Sequence, residues 1–305
     1  MTAEADALAR HVHRLSVLVA AGVAPASAWR HVAGAAQPAD ARLDALVARL
    51  DAAQPLSSAL PEVARDAGEP WRALAAAWAV AAESGAPLAP ALAAYATALR
   101  DRAAAERDVV VALAGPRATA RVVLLLPLVA VVLALLMGVD LLTTLQQPLA
   151  IASVVLGLLL VVAARWWITR LLRAAAPPSS STGLDLDLLA VAASGGGSPE
   201  AARRLVRRAL DAVALEHAVS AEAGADLTAE LVVLSRRSGA PLGALARAEA
   251  SELRGRARAE ARRTAEVLAV RLMLPLGACV LPSFLLLGVV PMLIGLLSST
   301  ATLGL

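Results

Sequence analysis

The chain has 305 residues, 59% of them apolar and 2% aromatic, with 28 basic and 25 acidic side chains and a formal net charge of +3. Soluble proteins average roughly 45–50% apolar residues, so the composition points to a polytopic membrane protein, and the small net charge argues against a nucleic-acid platform or a groove for acidic substrates. Cys279 is the single cysteine, which excludes an intramolecular disulfide and a multi-cysteine metal site.

In chain order, Thr2 to Ala21 reads as a helix because Leu8, Val12, Leu15, Leu18 and Val19 recur at helical spacing. Glu4 and Asp6 spoil the positive start of a signal peptide, and the following apolar stretch is short. Gly22 ends the helix and Pro25 starts the next, since glycine tolerates the left-handed conformation and proline suits a first helical turn. Leu43, Leu46, Val47 and Leu50 form one apolar stripe, Pro55 and Pro61 punctuate the next connection, and Trp71, Leu74 and Trp78 share one side of a helix that ends at Gly85 and Pro87. The helix after Pro87 carries Arg100, Arg102, Glu106 and Arg107, a pattern that predicts a solvated face with i,i+4 pairing. Residues 1–119 are therefore expected to be an all-helical domain.

Residues 122–139 and 149–168 are apolar runs of about the length that spans a bilayer, and they predict a membrane hairpin with a loop from Leu141 to Pro148. Trp166 and Trp167 suit an interfacial belt. Asp140 reads as a loop residue. Residues 177–183 have the composition of a flexible linker, and 184–271 predict a second helical domain, in which Ser194 to Gly197 break a helix, Ser198 caps the next and Pro199 opens it. Arg203, Arg204, Arg207 and Arg208 make a basic patch on that helix, read first as solvated surface. Gly239 and Pro241 make another turn, from which a long charged helix, Leu242 to Arg271, runs directly into a third span at 272–297. Arg117, Arg121, Arg165, Arg170, Arg173 and Arg271 flank the spans on one side, whereas the hairpin loop and the tail from Ser298 carry no basic residue. The positive-inside rule then places both soluble parts in the cytoplasm and the C-terminus outside.

A shift of 154 positions superposes Ser84, Gly85, Pro87, Leu88, Leu99, Arg100, Arg102 and Glu106 on Ser238, Gly239, Pro241, Leu242, Leu253, Arg254, Arg256 and Glu260, and a different shift sets Gly22 to Ala28 beside Gly196 to Ala202. Ordered glycines and prolines of this kind point to an internal duplication. Chemical motifs are harder to find. His11 and His13 lie two apart and cannot share a helical face, no Walker or nucleophile-elbow motif is present, and the spans hold no ionisable pair, so an enzyme is not expected and neither metal nor cofactor is implied.

With its L-x3-G-x-x-P-x-x-A-x motifs at Leu18 to Trp29 and loosely around Leu189 to Arg203, its Ser-Gly-x-Pro-Leu turns, and Leu274-Pro275 and Leu281-Pro282 in the last span, the sequence resembles the type II secretion F-domain family. These are inner-membrane platform proteins of type II secretion and type IV pilus machines, including the Tad branch. The resemblance covers most of the chain and is stronger in the second half; the first copy reads as degraded, with an indel around Leu113 to Thr119. It implies two cytoplasmic helical bundles and three transmembrane helices, in a platform that couples a cytoplasmic ATPase to pilin subunits as a homo-oligomer, with a second platform protein in some branches. A transporter or channel subunit is the competing reading. On the charged helix, Arg254, Arg258, Arg262 and Glu260 are the expected contact for the ATPase, with i,i+4 pairs from Arg256 to Glu260 and from Arg262 to Glu266. Pro275, Pro282 and Pro291 are expected to kink the last span, as is Pro127 the first.

Overall fold

The computed structural model describes residues 2–136, 148–174, 182–215, 227–291 and 293–294, and among them every regular element is helical. They run α1 (Thr2–Ala20), α2 (Pro25–Gly34), α3 (Ala41–Asp51), α4 (Leu56–Asp66), α5 (Glu69–Ser84), α6 (Leu88–Ala112), α7 (Ala114–Leu136), α8 (Pro148–Ala174), α9 (Leu184–Ser194), α10 (Pro199–Ala212), α11 (Leu227–Ser238) and α12 (Leu242–Arg271). The expected hairpin loop with Asp140, the linker up to Ser181, His217 and the tail from Ser298 lie outside the described residues. The chain divides into two units: one of 1–107 with 178–259, the other of 108–177 with 260–305.

In the first unit the expected helix stripes become core. Leu8, Val12 and Leu15 of α1, Leu43, Leu46 and Leu50 of α3, and Trp71 and Leu74 of α5 are buried. Trp29 of α2 lies at their centre, its ring centroid 6.4 Å from Trp71 and 6.3 Å from Trp78. Each large side chain buried in this way contributes roughly 1.5–3 kcal/mol. The two soluble stretches read from sequence as separate bundles share this one core: Leu186, Leu188 and Leu189 of α9, Val206 and Leu210 of α10, and Leu242 and Ala250 of α12 belong to the same buried cluster as α1 to α6. α5 packs against both α9 and α10. Where they meet, the backbone of Gly195 approaches the Ser84 carbonyl so closely that a Cβ on Gly195 would lie 2.0 Å from that oxygen.

The turns follow the sequence. Gly22 (φ 87°) and Gly196 (φ 83°) are both left-handed, and each is followed three residues later by the proline that opens a helix. Gly85 (φ 70°) and Gly239 (φ 72°) are left-handed too; the amide of each donates to the carbonyl four residues back, Ala81 and Ser235. Ser84 Oγ accepts from the Ala86 amide at 3.3 Å and Ser238 Oγ from the Ala240 amide at 3.2 Å, so the two turns are closed by the same bonds. Ser198 caps α10 by accepting from the Ala201 amide. One expectation fails locally: Pro61 does not interrupt the chain but lies inside α4, where burial of Ala59, Leu60, Val63 and Ala64 offsets the missing amide donor.

The second unit contains α7, α8, the end of α12 and the apolar run that follows it. Leu128, Leu158, Leu159, Leu274 and Leu281 on these helices are exposed, a distribution suited to a hydrocarbon solvent rather than water. Three spans were expected; among the described residues two helices are long and apolar enough to cross a membrane, Pro148–Leu171 and the continuous stretch Leu242–Val289. The remaining run, 122–139, is described as helix only to Leu136, within α7, and its last residues lie outside the described set. Helix α8 approaches the third run so closely that a Cβ on Gly157 would lie 2.6 Å from Leu287 Cγ. Small residues permit this kind of contact between membrane helices.

Candidate functional site: the charged helix and its apolar continuation

Three arginines of α12, Arg254, Arg256 and Arg258, form ion pairs within the first unit. Arg254 Nη1 donates to Asp187 Oδ2 of α9 at 2.6 Å, with the two side chains only 23% and 20% exposed. Burial pushes the Asp187 carboxyl up to about 6, against the opposing pull of the Arg254 guanidinium; Asp185 and Asp101 push it the same way as burial. One turn on, Arg258 donates through Nη2 to the Asp101 carbonyl of α6 at 3.0 Å, with the Asp101 carboxylate 3.6 Å away. Arg256 pairs with Glu252, not with Glu260 as its spacing had suggested. On the inward side of α12, Leu242, Ala246 and Ala250 are buried.

The four residues expected to form one partner contact therefore separate into two kinds. Arg254 and Arg258 are held by acidic residues of neighbouring helices within the first unit, whereas Glu260 and Arg262 are exposed on the second unit's part of α12. Sequence spacing could not distinguish them, because Asp187 lies 67 positions from Arg254 and Asp101 lies 157 from Arg258. The earlier charged helix departs from expectation in the same way. Arg102 and Glu106 do form the predicted i,i+4 pair at 2.9 Å, but it is enclosed rather than solvated, with side-chain exposures of 17% and 6%. Arg107 extends instead to Asp6 of α1 at 2.5 Å. The basic patch on α10 is partly engaged: Arg203 Nε donates to Thr228 and Arg208 lies 3.7 Å from Glu83. His11 is buried and His13 exposed, as two positions apart on one helix require.

Beyond Arg271 the chain stays helical but changes register. A short α segment, Met273–Pro275, gives way to a π turn at Leu276–Val280, then to α at Leu281–Phe284 and to a second π turn at Leu285–Val289. The Leu281 amide donates to the Leu276 carbonyl and the Val290 amide to the Leu285 carbonyl, both five residues back. Each π turn ends just before a proline, Pro282 or Pro291. A proline supplies no amide and crowds the carbonyl four residues earlier, and the wider turn relieves that crowding. The prolines are thus accommodated by local changes of helix type. Among the described residues no group of three His, Cys, Asp or Glu is arranged to hold a metal ion.

Residues 12–136 match the family model described as type II secretion system (T2SS), protein F. The match falls on the stretch read from the sequence as a degraded first copy, whereas the resemblance had been expected to be stronger in the second half. No curated protein and no solved structure matches the chain.

Proposed function

We propose, from the premise that residues 12–136 are a type II secretion system F domain, that this chain is an inner-membrane assembly platform of a type II secretion or type IV pilus machine of the Tad-like kind. In this reading it couples a cytoplasmic ATPase to the assembly or export of pilin subunits and works as a homo-oligomer, in some machines beside a second platform protein. The observation that carries the proposal is the family match; the layout of the chain agrees with it. A helical unit rich in ion pairs is joined through α12, without interruption, to an apolar helix whose large side chains face outward. The arginines that flank the apolar runs favour a multi-pass topology with the soluble parts in the cytoplasm and the C-terminus outside. The equal turn geometries at Gly22 and Gly196, and at Gly85 and Gly239, support a duplicated F domain.

A transporter or channel subunit needs a polar path through its spans. Ser153 and Ser283, the buried polar residues of these apolar helices among those described, each donate to a carbonyl of their own helix, Ala150 and Val280. Such bonds are local and, among the described residues, link no two of these helices through a polar group of the kind a relay uses. The platform reading is tested by deleting the gene and complementing it. Loss of surface pili or of a secreted protein, with the pilins retained in the membrane and export restored by the intact gene, is the expected result. Unchanged export in the deletion strain contradicts the reading.

A further inference from the structure

The geometry points to a binding site for the phosphate of an anionic phospholipid, in a cavity of about 260 Å³ between the ends of α8 and α12. Arg263, Thr264 and Arg271 supply its polar wall, and Leu171, Val267 and Leu268 its apolar one. Neither arginine has an ion-pair or hydrogen-bond partner among the described residues, in contrast to Arg254, Arg256 and Arg258 on the same helix. Glu260 also lines the cavity and leaves it with one net positive charge.

Several features set this cavity at the edge of the hydrocarbon. Arg271 is the last charged residue before the charge-free run of the third apolar helix. Leu171 lies one turn beyond Trp167 on α8, and Trp166 and Trp167 are both outward-facing at that level, with the Arg170 guanidinium 5.3 Å from the Trp166 ring. Exposed tryptophans mark the headgroup zone. Val270 and Met273, beside Arg271, are exposed and apolar, as a surface in contact with acyl chains requires. Two guanidiniums without a partner among the described residues and a hydroxyl suit phosphate oxygens, while the leucine and valine wall suits the glycerol and the upper acyl chain. That apolar wall is what selects a lipid over free phosphate. The site rests on the membrane part of the proposed function and not on any ATPase contact.

The test uses the full chain purified in a neutral detergent, with its melting temperature followed as short-chain phosphatidylglycerol, short-chain phosphatidylcholine or inorganic phosphate is added. Phosphatidylglycerol is expected to raise the melting temperature at least several degrees more than phosphatidylcholine, with inorganic phosphate giving no shift. Arg263→Gln with Arg271→Gln should abolish the difference, and Arg262→Gln, outside the cavity, should retain it. Equal shifts with both lipids, or a difference that survives the double substitution, overturns the site. A shift with inorganic phosphate that the double variant loses shows a free-anion site and also overturns the lipid assignment. If the double variant is misfolded, its Arg263→Gln and Arg271→Gln single forms are read instead, each expected to weaken phosphatidylglycerol binding about tenfold, and unchanged binding counts against the site. Failure of the platform reading is distinguishable, because it appears as intact export in the deletion strain whatever the lipid response.

Discussion

Arg254 of α12 donates to Asp187 of α9 at 2.6 Å, in a pair about four-fifths withdrawn from water. Removing one member of a buried pair leaves an uncompensated charge and costs about 3–5 kcal/mol when burial is complete. For this slightly exposed pair, Arg254→Met is expected to cost roughly 2–3 kcal/mol by the same principle, and Arg262→Met, on an exposed arginine, close to nothing. Denaturant melts of the purified variants measure both. Charge reversal at Arg254 is for this reason a poor probe of partner binding, since it sets a glutamate against Asp187; Glu260 and Arg262 are the residues at which loss of a partner can be read without loss of the fold.

The same pair gives a pH dependence of unusual sign. Asp187 titrates at about 6 in the folded chain against 3.8 for an ordinary aspartate, so between those values the folded state holds the proton that the unfolded state has released. Stability from this group is therefore present at the acidic end and is lost as pH rises from about 4 to about 6, the reverse of an aspartate stabilised by its ion pair. The window corresponds to roughly 2–3 kcal/mol at most. Comparing thermal melts of the intact chain and of Asp187→Asn at pH 4.5 and 7 should show the intact chain losing more stability on the alkaline side than the variant.

Gly195 meets the Ser84 carbonyl at a distance that leaves no room for a methyl group. Gly195→Ala forces α5 and α9 apart within the shared core and should destabilise by about 1–3 kcal/mol, the usual cost of overpacking. Gly197→Ala, which meets nothing within 4 Å, is the matched control and should stay near the parent in a denaturant melt.

Gly157 stands in the same relation to Leu287 in the second unit, with Leu287 Cγ 2.6 Å from where a Cβ would lie. Gly157→Leu is expected to lower the melting temperature in detergent by several degrees. Leu287→Ala should restore part of that loss in the double variant, because it empties the space the new side chain needs. Additive effects of the two substitutions would contradict the contact.

How much of this was legible in the sequence varies with the range of the interaction. The turns at Gly22, Pro25, Gly85, Pro87, Gly239 and Pro241 were readable because a left-handed glycine and a first-turn proline are local requirements, and the structure has a positive φ at each of those glycines. The buried stripes of α1, α3 and α5 were readable from helical spacing. By contrast, the shared core of the two soluble stretches, the Arg254 to Asp187 pair and the enclosure of Glu106 depend on which helices meet, and no spacing within one helix reports that. The prolines of the last apolar helix were visible, but not the π turns before them. A missing amide can be met by a kink, a water or a change of helix type, and packing against α7 and α8 settles which.

The proposed function makes this chain the platform on which a secretion ATPase acts. The most direct measurement is co-isolation of the full-length chain, in detergent, with the purified secretion or pilus ATPase of the same cell. A complex that survives gel filtration, and is weakened when Glu260 and Arg262 are reversed in charge while the melting temperature is unchanged, is the predicted result. Separate elution of the two proteins, with the chain folded and extracted from the membrane, would contradict it.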